Sequence, residues 1–252
     1  MMQWALRKHP HLWGSAESDF LVPLLAGAGE SYKRGSTRGK MHWLQREWVS
    51  EQEYLRWIGL GINAMYTNRS RGLTWVEQTP QYTLHLAGLT AMFPGARFVG
   101  MVRDGRDVVA SLRNFVEPMS HRSACREWVS HTEALLAHVE DHPESLLLVR
   151  YEEVVSDTAE ALDRIFGFLR LDPSSDSANF IRNEPPINSS FDSPRGPDPR
   201  WAVWSKSERD SFAAVAGGLL SKLGYVGDHG WLDTPPLETG GAEARTVVDT
   251  FE

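Results

Sequence analysis

Short runs of apolar residues alternate along the chain with stretches in which apolar residues recur every three or four positions. The first pattern predicts buried strands and the second predicts amphipathic helices. The predicted strands are Thr74 to Gln78, Phe98 to Val102 and Leu146 to Val149. The predicted helices are Met1 to His9, Ser18 to Ala26, Glu51 to Thr67, Tyr82 to Phe93, Ser123 to His142, Thr158 to Leu169 and Ser207 to Leu223. Strands that alternate with helices pair in parallel, so we expect an α/β fold with a parallel sheet.

The strand Phe98 to Val102 passes directly into a helix that Asp104 can cap. In α/β proteins such a junction lies at the carboxyl edge of the sheet, where free N–H groups and the positive helix end attract anions. Arg103 at the strand end offers a planar cationic fork, and Ser111, two helical turns on, offers a hydroxyl donor. The two residues therefore form a candidate phosphate clamp.

Charge alone permits a plainer interpretation of this junction. Three charged residues, Arg103, Arg106 and Asp107, also fit a solvated cluster at a helix start, and without further information that interpretation would be favoured.

Composition narrows the classes of partner. The 252 residues are 41% hydrophobic, enough for one large core, and we expect one domain over residues 1–226 followed by a tail, 227–252, without fixed structure of its own. A net charge of −7 argues against broad nucleic-acid binding, so an anionic ligand would be held by local arginines.

Cysteine usage, hydropathy and the histidines add three expectations. Cys125 is the single cysteine, which fits a reducing compartment, and no secretory or membrane segment is visible, so we expect a cytoplasmic protein. His131, His138 and His142 lack acidic or thiol partners at ligand spacing, and we therefore predict no metal site.

The segment R-D-G-R-D-V-V-A-S-L closely resembles the part of sulfotransferases that holds the 3′-phosphate of 3′-phosphoadenylyl sulfate. In that family an Arg and a Ser eight positions apart contact this phosphate, and Arg103 and Ser111 have the same spacing. The resemblance extends from Met1 to about Tyr225. It implies a three-layer α/β sandwich with a central parallel sheet, like that of P-loop nucleotide hydrolases, with 3′-phosphoadenylyl sulfate as cosubstrate and no metal.

The resemblance also assigns catalytic roles. Glu17, in a segment similar to the G-E-E-T of protein-tyrosine sulfotransferases, matches a catalytic Glu and is our candidate general base; the alternative is a carboxylate at a helix start. Gln78 stands where the family commonly has a Lys that stabilises the transferring group, and an uncharged donor should contribute less there. Ser190 falls near a family Ser that donates to this group.

Two more residues match nucleotide contacts of the family. Tyr151, in R-Y-E-E-V-V after a strand, matches a Tyr that contacts the nucleotide, although a strand-end Tyr also serves simply to cap a core. Arg200 matches a basic residue that binds the nucleotide's phosphates; the alternative is an Arg stacked on Trp201 in a polar loop, and the same loop interpretation applies to Ser190.

The resemblance implies transfer of a sulfuryl group to a hydroxyl or amine. Met1 falls where the family's first helix is already running, so we expect the family's first strand and phosphate loop to be missing from the sequence as given. A non-catalytic nucleotide-binding or scaffold protein is therefore an alternative, and a P-loop kinase is a further one, weakened by the lack of a Gly-Lys-Ser/Thr loop. Small-molecule, carbohydrate, lipid and peptide acceptors stay open, as does the oligomeric state.

Overall fold

Within residues 1–37, 42–114, 118–183, 199–228 and 230–234, which the computed structural model describes, four short strands form two parallel pairs. The strands are β1 (Leu12–Gly14), β2 (Thr74–Val76), β3 (Phe98–Val102) and β4 (Leu146–Arg150). β1 pairs with β2, with Gly14 opposite Val76, and β3 pairs with β4, with Val102 opposite Arg150. In each pair, the residues that follow the two strands therefore leave the sheet at the same edge.

Helices make up most of the remaining described structure. They are α1 (Met2–Leu6), α2 (Leu21–Ser36), α3 (Trp43–Arg46), α4 (Glu51–Arg69), α5 (Leu86–Met92), α6 (Gly105–Leu112), α7 (His121–Asp141), α8 (Tyr151–Ser156), α9 (Thr158–Leu169), α10 (Ser175–Asn183) and α11 (Lys206–Lys222). Short 3₁₀ turns lie at Pro80–His85, Arg200–Val203 and Gly230–Leu232.

The described residues divide into two compact units. The first is drawn from Met1–Arg103 and Ser130–Ser189, and the second from Asp104–Val129 and Ser190–Glu252. The four strands of the described residues belong to the first unit, and the chain passes between the units after Arg103, after Val129 within α7, and after Ser189.

One buried cluster of the first unit forms around β4 and α9. Asp157 caps α9 by accepting a hydrogen bond from the backbone N–H of Glu160, and one face of the helix is apolar. The cluster consists of Ala5, Leu6, Leu12, Val149, Val154, Ala161, Leu162, Ile165, Phe166 and Ile181. It brings residues of β1 and β4 into one core, which stabilises both strand pairs by removing apolar surface from water.

A second cluster in the first unit joins α2, α4 and α5. Its buried members are Leu21, Leu25, Ala28, Leu55, Ile62, Tyr66, Leu89 and Met92. Gly59 of α4 lies so close to α5 that a Cβ at this position would come within 2.0 Å of the carbonyl oxygen of Met92. Only glycine therefore permits this approach of the two helices.

The second unit has an aromatic core. Phe212 of α11 contacts the rings of three tryptophans, with centroid distances of 6.1 Å to Trp128, 5.5 Å to Trp204 and 5.8 Å to Trp231. Trp231 is buried although it lies within residues 227–252, where we expected a tail without fixed structure.

Several predictions from the sequence are confirmed by these elements. The predicted bounds of β3 and α9 match the structure, the fold contains both helices and strands, and both strand pairs are parallel. β1 was not predicted, because a three-residue strand is too short to show a period. α2 begins at Leu21, three residues later than predicted. The three-layer sandwich and the single domain over residues 1–226 stay predictions.

Candidate functional site

Arg103 and Tyr151 meet at the carboxyl edge of the β3–β4 pair. Val102 lies opposite Arg150, so the next residue of each segment leaves the sheet at the same place. The guanidinium carbon of Arg103 lies 4.4 Å from the centroid of the Tyr151 ring, a distance at which the ring face attracts the cation. Both side chains are half-buried. The ring restricts where the guanidinium can point without neutralising its charge, which suits a cation that must bind an anion.

Asp104 caps α6, as the sequence predicted. Its Oδ1 accepts a hydrogen bond of 2.9 Å from the backbone N–H of Arg106. At the next residue, a Cβ on Gly105 would lie 2.5 Å from the indole of Trp128, so glycine lets the helix start pack against that ring.

Arg106 does not belong to a solvated charge cluster. Its side chain is only 8% exposed, and its Nη2 lies 2.7 Å from Oδ2 of Asp104. The guanidinium carbon lies 4.2 Å from the ring centroid of Trp201 and 5.1 Å from that of Trp231. The indole rings that bury Arg106 come from far along the chain. The interpretation of the charges as a solvated cluster is therefore wrong for this residue.

Ser111 and Arg200 are brought to the same side of α6, within the second unit. The backbone N–H of Arg200 donates to Oδ1 of Asp107 at 3.0 Å. Asp107 and Ser111 are four residues apart on the helix and therefore share one face. Both predicted residues are half-buried, and Arg200 starts the turn Arg200–Val203.

Arg209 holds the turn that begins at Arg200. This α11 residue is only 1% exposed, and its Nη2 donates to the carbonyl oxygen of Ala202 at 3.2 Å. Its guanidinium carbon lies 5.9 Å from the centroid of the Trp201 ring, which Arg106 also contacts. Two buried cations, Arg106 and Arg209, therefore contact the turn that presents Arg200.

Glu17 and Gln78 lie on two loops that the β1–β2 pair brings together. The backbone N–H of Ser18 donates to Oε1 of Glu77 at 2.6 Å and to Oγ1 of Thr79 at 3.0 Å. The side chains of Glu17 and Gln78 are both exposed beside this junction. α2 begins at Leu21, four residues after Glu17, and its first turn contains no acidic residue, so Glu17 is not a helix-start carboxylate in this structure.

Polar side chains that the sequence analysis did not single out surround Ser18. The hydroxyl of Tyr82 donates to the carbonyl oxygen of Ser18 at 2.6 Å, and the hydroxyls of Ser18 and Tyr66 are hydrogen-bonded to each other. The hydroxyl of Thr79 donates to Oε1 of Glu77 at 2.9 Å. A run of polar residues directly after β2, Glu-Gln-Thr, is the signal in the sequence that could have indicated this network.

Burial changes the acidity of this network. The pKa of Glu77 is raised above its ordinary value, because burial disfavours the charged carboxylate more than the hydrogen bonds from Thr79 and Ser18 favour it. Burial also raises the pKa values of Tyr66 and Tyr82, so both hydroxyls stay protonated donors at neutral pH.

The remaining predictions concern Ser190, metal binding and membrane-spanning helices. Ser190 lies outside the described residues. In the part of the chain that the structure describes, no three His, Cys, Asp or Glu side chains are grouped so that they could hold a metal ion. The described helices include none that is long and apolar enough to cross a membrane.

The described geometry offers three chemical capacities. Arg103 can bind an anion at a strand end, Ser111 and Arg200 add donors on one face of α6, and Glu17 can accept a proton from a bound hydroxyl or amine. Gln78 can donate a hydrogen bond next to Glu17 without adding charge.

Comparison with known proteins connects these capacities to a family. A family model described as the sulfotransferase family matches residues 1–176, which is more than half of the chain. A search of curated proteins finds no match.

Two solved structures share the fold. The sulfotransferase domain from the Synechococcus PCC 7002 olefin synthase matches with a TM-score of 0.57 and 16% identity, covering 89% of this chain and 90% of that one. The sulfotransferase domain from the curacin biosynthetic pathway matches with a TM-score of 0.51 and 16% identity, covering 86% of this chain and 92% of that one. At such identities the likeness concerns the fold alone.

Proposed function

Since this chain belongs to the sulfotransferase family, we propose that it transfers the sulfuryl group of 3′-phosphoadenylyl sulfate to a hydroxyl or amine of an acceptor molecule. The observation that carries the proposal is the pairing of Arg103 with Tyr151 at the carboxyl edge of β3 and β4. An aromatic ring that holds an arginine in place, at an edge where open α/β sheets bind their ligands, suits a phosphorylated nucleotide.

Four residues would bind the nucleotide. Arg103 and Ser111 would hold the 3′-phosphate, and Tyr151 would support Arg103 and contact the nucleotide. Arg200 would bind a phosphate from the turn that Arg209 and Asp107 hold in place. Charge-assisted hydrogen bonds of this type are among the strongest in proteins, so this set would provide much of the cofactor's affinity.

Three residues would act on the transferring group. The carboxylate of Glu17 would take the proton from the acceptor, whose oxygen or nitrogen then bonds to sulfur while the bond from sulfur to the phosphate oxygen breaks. The leaving group is 3′-phosphoadenosine 5′-phosphate. Gln78 and Ser190 would donate hydrogen bonds to the charged oxygens of the sulfuryl group during its transfer. As in phosphoryl transfer, positioning and electrostatics supply most of the catalysis.

The proposal includes a setting for the reaction. We propose a cytoplasmic enzyme that needs no metal, because the leaving phosphate can be stabilised by arginine side chains. A three-layer sandwich with one central parallel sheet would place both strand pairs in a single layer. The acceptor would be a small molecule, a carbohydrate, a lipid or a peptide.

Labelled donors test this proposal. The protein is incubated with ³⁵S-labelled 3′-phosphoadenylyl sulfate or with γ-³²P-labelled ATP, together with 4-nitrophenol, a long-chain alcohol, a sugar and a tyrosine peptide. The proposal predicts transfer of ³⁵S and no transfer of ³²P. Binding of the donor without transfer would instead favour a non-catalytic nucleotide-binding protein, and transfer of ³²P would indicate a kinase.

A further inference from the structure

The loop that carries Glu17 is not held by regular secondary structure. Residues 15–18 lie between β1 and α2, outside any strand or helix, and the side chain of Glu17 is exposed. Packing of its own side chain therefore does not fix the position of Glu17. A group that must meet an acceptor within hydrogen-bond distance needs its backbone held by other contacts.

Ser18 provides such contacts through each of its polar groups. Its backbone N–H donates to Glu77 and Thr79, and its carbonyl oxygen accepts from the Tyr82 hydroxyl. Its own hydroxyl is hydrogen-bonded to the hydroxyl of Tyr66. The residue directly after Glu17 is thus held by the segment that follows β2, by the 3₁₀ turn Pro80–His85 and by α4.

Glu77 is the ionisable carboxyl group in this network. Its Oε1 accepts from the Ser18 N–H at 2.6 Å and from the Thr79 hydroxyl at 2.9 Å. Its Oε2 is buried and has no hydrogen-bond partner among the described residues. A buried carboxyl oxygen without a partner is costly for the fold.

We propose that Glu77 is a positioning residue for the general base: by binding the Ser18 N–H through Oε1, it holds the loop that presents Glu17. The role of Glu17 in this inference rests on the proposed function. The role of Glu77 rests on the hydrogen bonds of Ser18.

Two substitutions of Glu77 distinguish a residue that holds the Ser18 N–H from a carboxyl group that is merely buried. Glu77→Gln keeps an oxygen that can accept from the Ser18 N–H, so it preserves the hydrogen bond and removes only the charge. Glu77→Ala removes the acceptor. Glu53→Ala, at an exposed glutamate of α4, serves as the matched control.

Hydrogen exchange of the Ser18 amide tests the contact directly. We expect exchange to be at least about 10-fold faster in Glu77→Ala than in the wild type, and close to the wild-type rate in Glu77→Gln and Glu53→Ala. Unchanged protection of the Ser18 amide in Glu77→Ala would overturn the inference. If Glu77→Ala does not fold, Tyr82→Phe removes the hydrogen bond to the Ser18 carbonyl oxygen and leaves Glu77, so the Ser18 amide should then stay protected.

Kinetics test the consequence for the base. We expect kcat for sulfuryl transfer to fall about 10- to 100-fold in Glu77→Ala, with little change in KM for the donor and with substantial rescue in Glu77→Gln. In a Glu17→Gln background Glu77→Ala should cause little further loss, because both substitutions disable the same step. Equal losses in both backgrounds would contradict the inference. Absence of transfer by the wild type would count against the proposed function alone, since Ser18 exchange still decides whether Glu77 holds this loop.

Discussion

The guanidinium of Arg103 lies over the ring of Tyr151, 4.4 Å from its centroid, where two parallel strands end side by side. The two residues are far apart in sequence, and the register of β3 and β4 alone brings them together. Arg103 and Tyr151 each resemble a nucleotide contact of sulfotransferases, and they lie in two separate sequence motifs. Their contact links the two motifs and makes Tyr151 a support for Arg103 rather than only a cap on the core.

The ring, rather than the hydroxyl, of Tyr151 should matter most for Arg103. Tyr151→Phe keeps the ring face and should change the affinity for 3′-phosphoadenosine 5′-phosphate by less than about 0.5 kcal/mol, whereas Tyr151→Ala should weaken it by about 1 kcal/mol, the size of a partly exposed cation–π interaction. Isothermal titration calorimetry measures both. Equal losses in Tyr151→Phe and Tyr151→Ala would mean that the hydroxyl contacts the nucleotide directly and that the ring is dispensable.

The carboxylate of Glu17 should be needed for transfer and not for nucleotide binding. Glu17→Gln keeps the shape of the side chain and removes the proton acceptor, so turnover should fall by about 10²-fold or more. The affinity for 3′-phosphoadenosine 5′-phosphate should stay unchanged. Asp19→Asn, an exposed acid two residues further along, is the matched control and should retain activity. Full turnover in Glu17→Gln would place the base elsewhere.

Trp231 should contribute to stability although it lies near the C-terminal end of the described residues. Its ring is 9% exposed and packs edge-to-face against Trp201 and Phe212. Trp231→Ala should lower the free energy of unfolding by about 3 kcal/mol, as expected for truncating a buried aromatic side chain. Urea unfolding followed by circular dichroism measures this change.

An exposed tryptophan provides the control for that experiment. Trp57 on α4 is 66% exposed, and Trp57→Ala should change the free energy of unfolding by less than about 0.5 kcal/mol. Similar small effects for both substitutions would show that the segment around Trp231 does not contribute to the folded core.

Cys125 should be unreactive in the native protein. Burial raises the pKa of its thiol to about 11, from 9.0 for an exposed cysteine. The two-unit difference leaves about 100-fold less thiolate at pH 8 than in the unfolded chain, so Ellman's reagent should react at least that much more slowly before denaturation.

The same shift predicts the pH dependence of stability. Because the folded pKa of Cys125 lies above the unfolded value, the unfolded chain holds fewer protons between about pH 9 and pH 11, and the contribution of this thiol to stability decreases as the pH rises through that range. Cys125→Ala should remove this part of the pH dependence. Equal reaction rates of native and denatured protein with Ellman's reagent would show that the thiol is not buried.

Local signals explain which parts of the fold were predictable. β3 was predicted because it is a short, mainly apolar run, and α9 because its apolar residues recur at helical spacing. In each element, the residues that provide the signal lie within a few positions of one another. The strand end and the capped helix start around Arg103 were predictable for the same reason, since these residues lie on one continuous segment.

Contacts between distant segments explain what was missed. β1 becomes a strand only because β2 pairs with it, and three residues show no period of their own. The hydrogen bond from Ser18 to Glu77 likewise depends on the register of these two strands. The alternative interpretation placed Arg106 in a solvated cluster because its charged neighbours are local, whereas the indole rings that bury it follow much later in the chain.

Nucleotide discrimination by wild type and Arg103→Ala is the most direct test of the central claim, that Arg103 recognises a 3′-phosphorylated nucleotide. Calorimetric titrations compare 3′-phosphoadenosine 5′-phosphate with adenosine 5′-phosphate, which lacks the 3′-phosphate. The wild type should bind the first ligand at least about 10-fold more tightly. Arg103→Ala should weaken that binding by about 2 to 3 kcal/mol and Ser111→Ala by less, with little effect on adenosine 5′-phosphate. Equal affinity of the wild type for both nucleotides, or unchanged affinity in Arg103→Ala, would contradict the account.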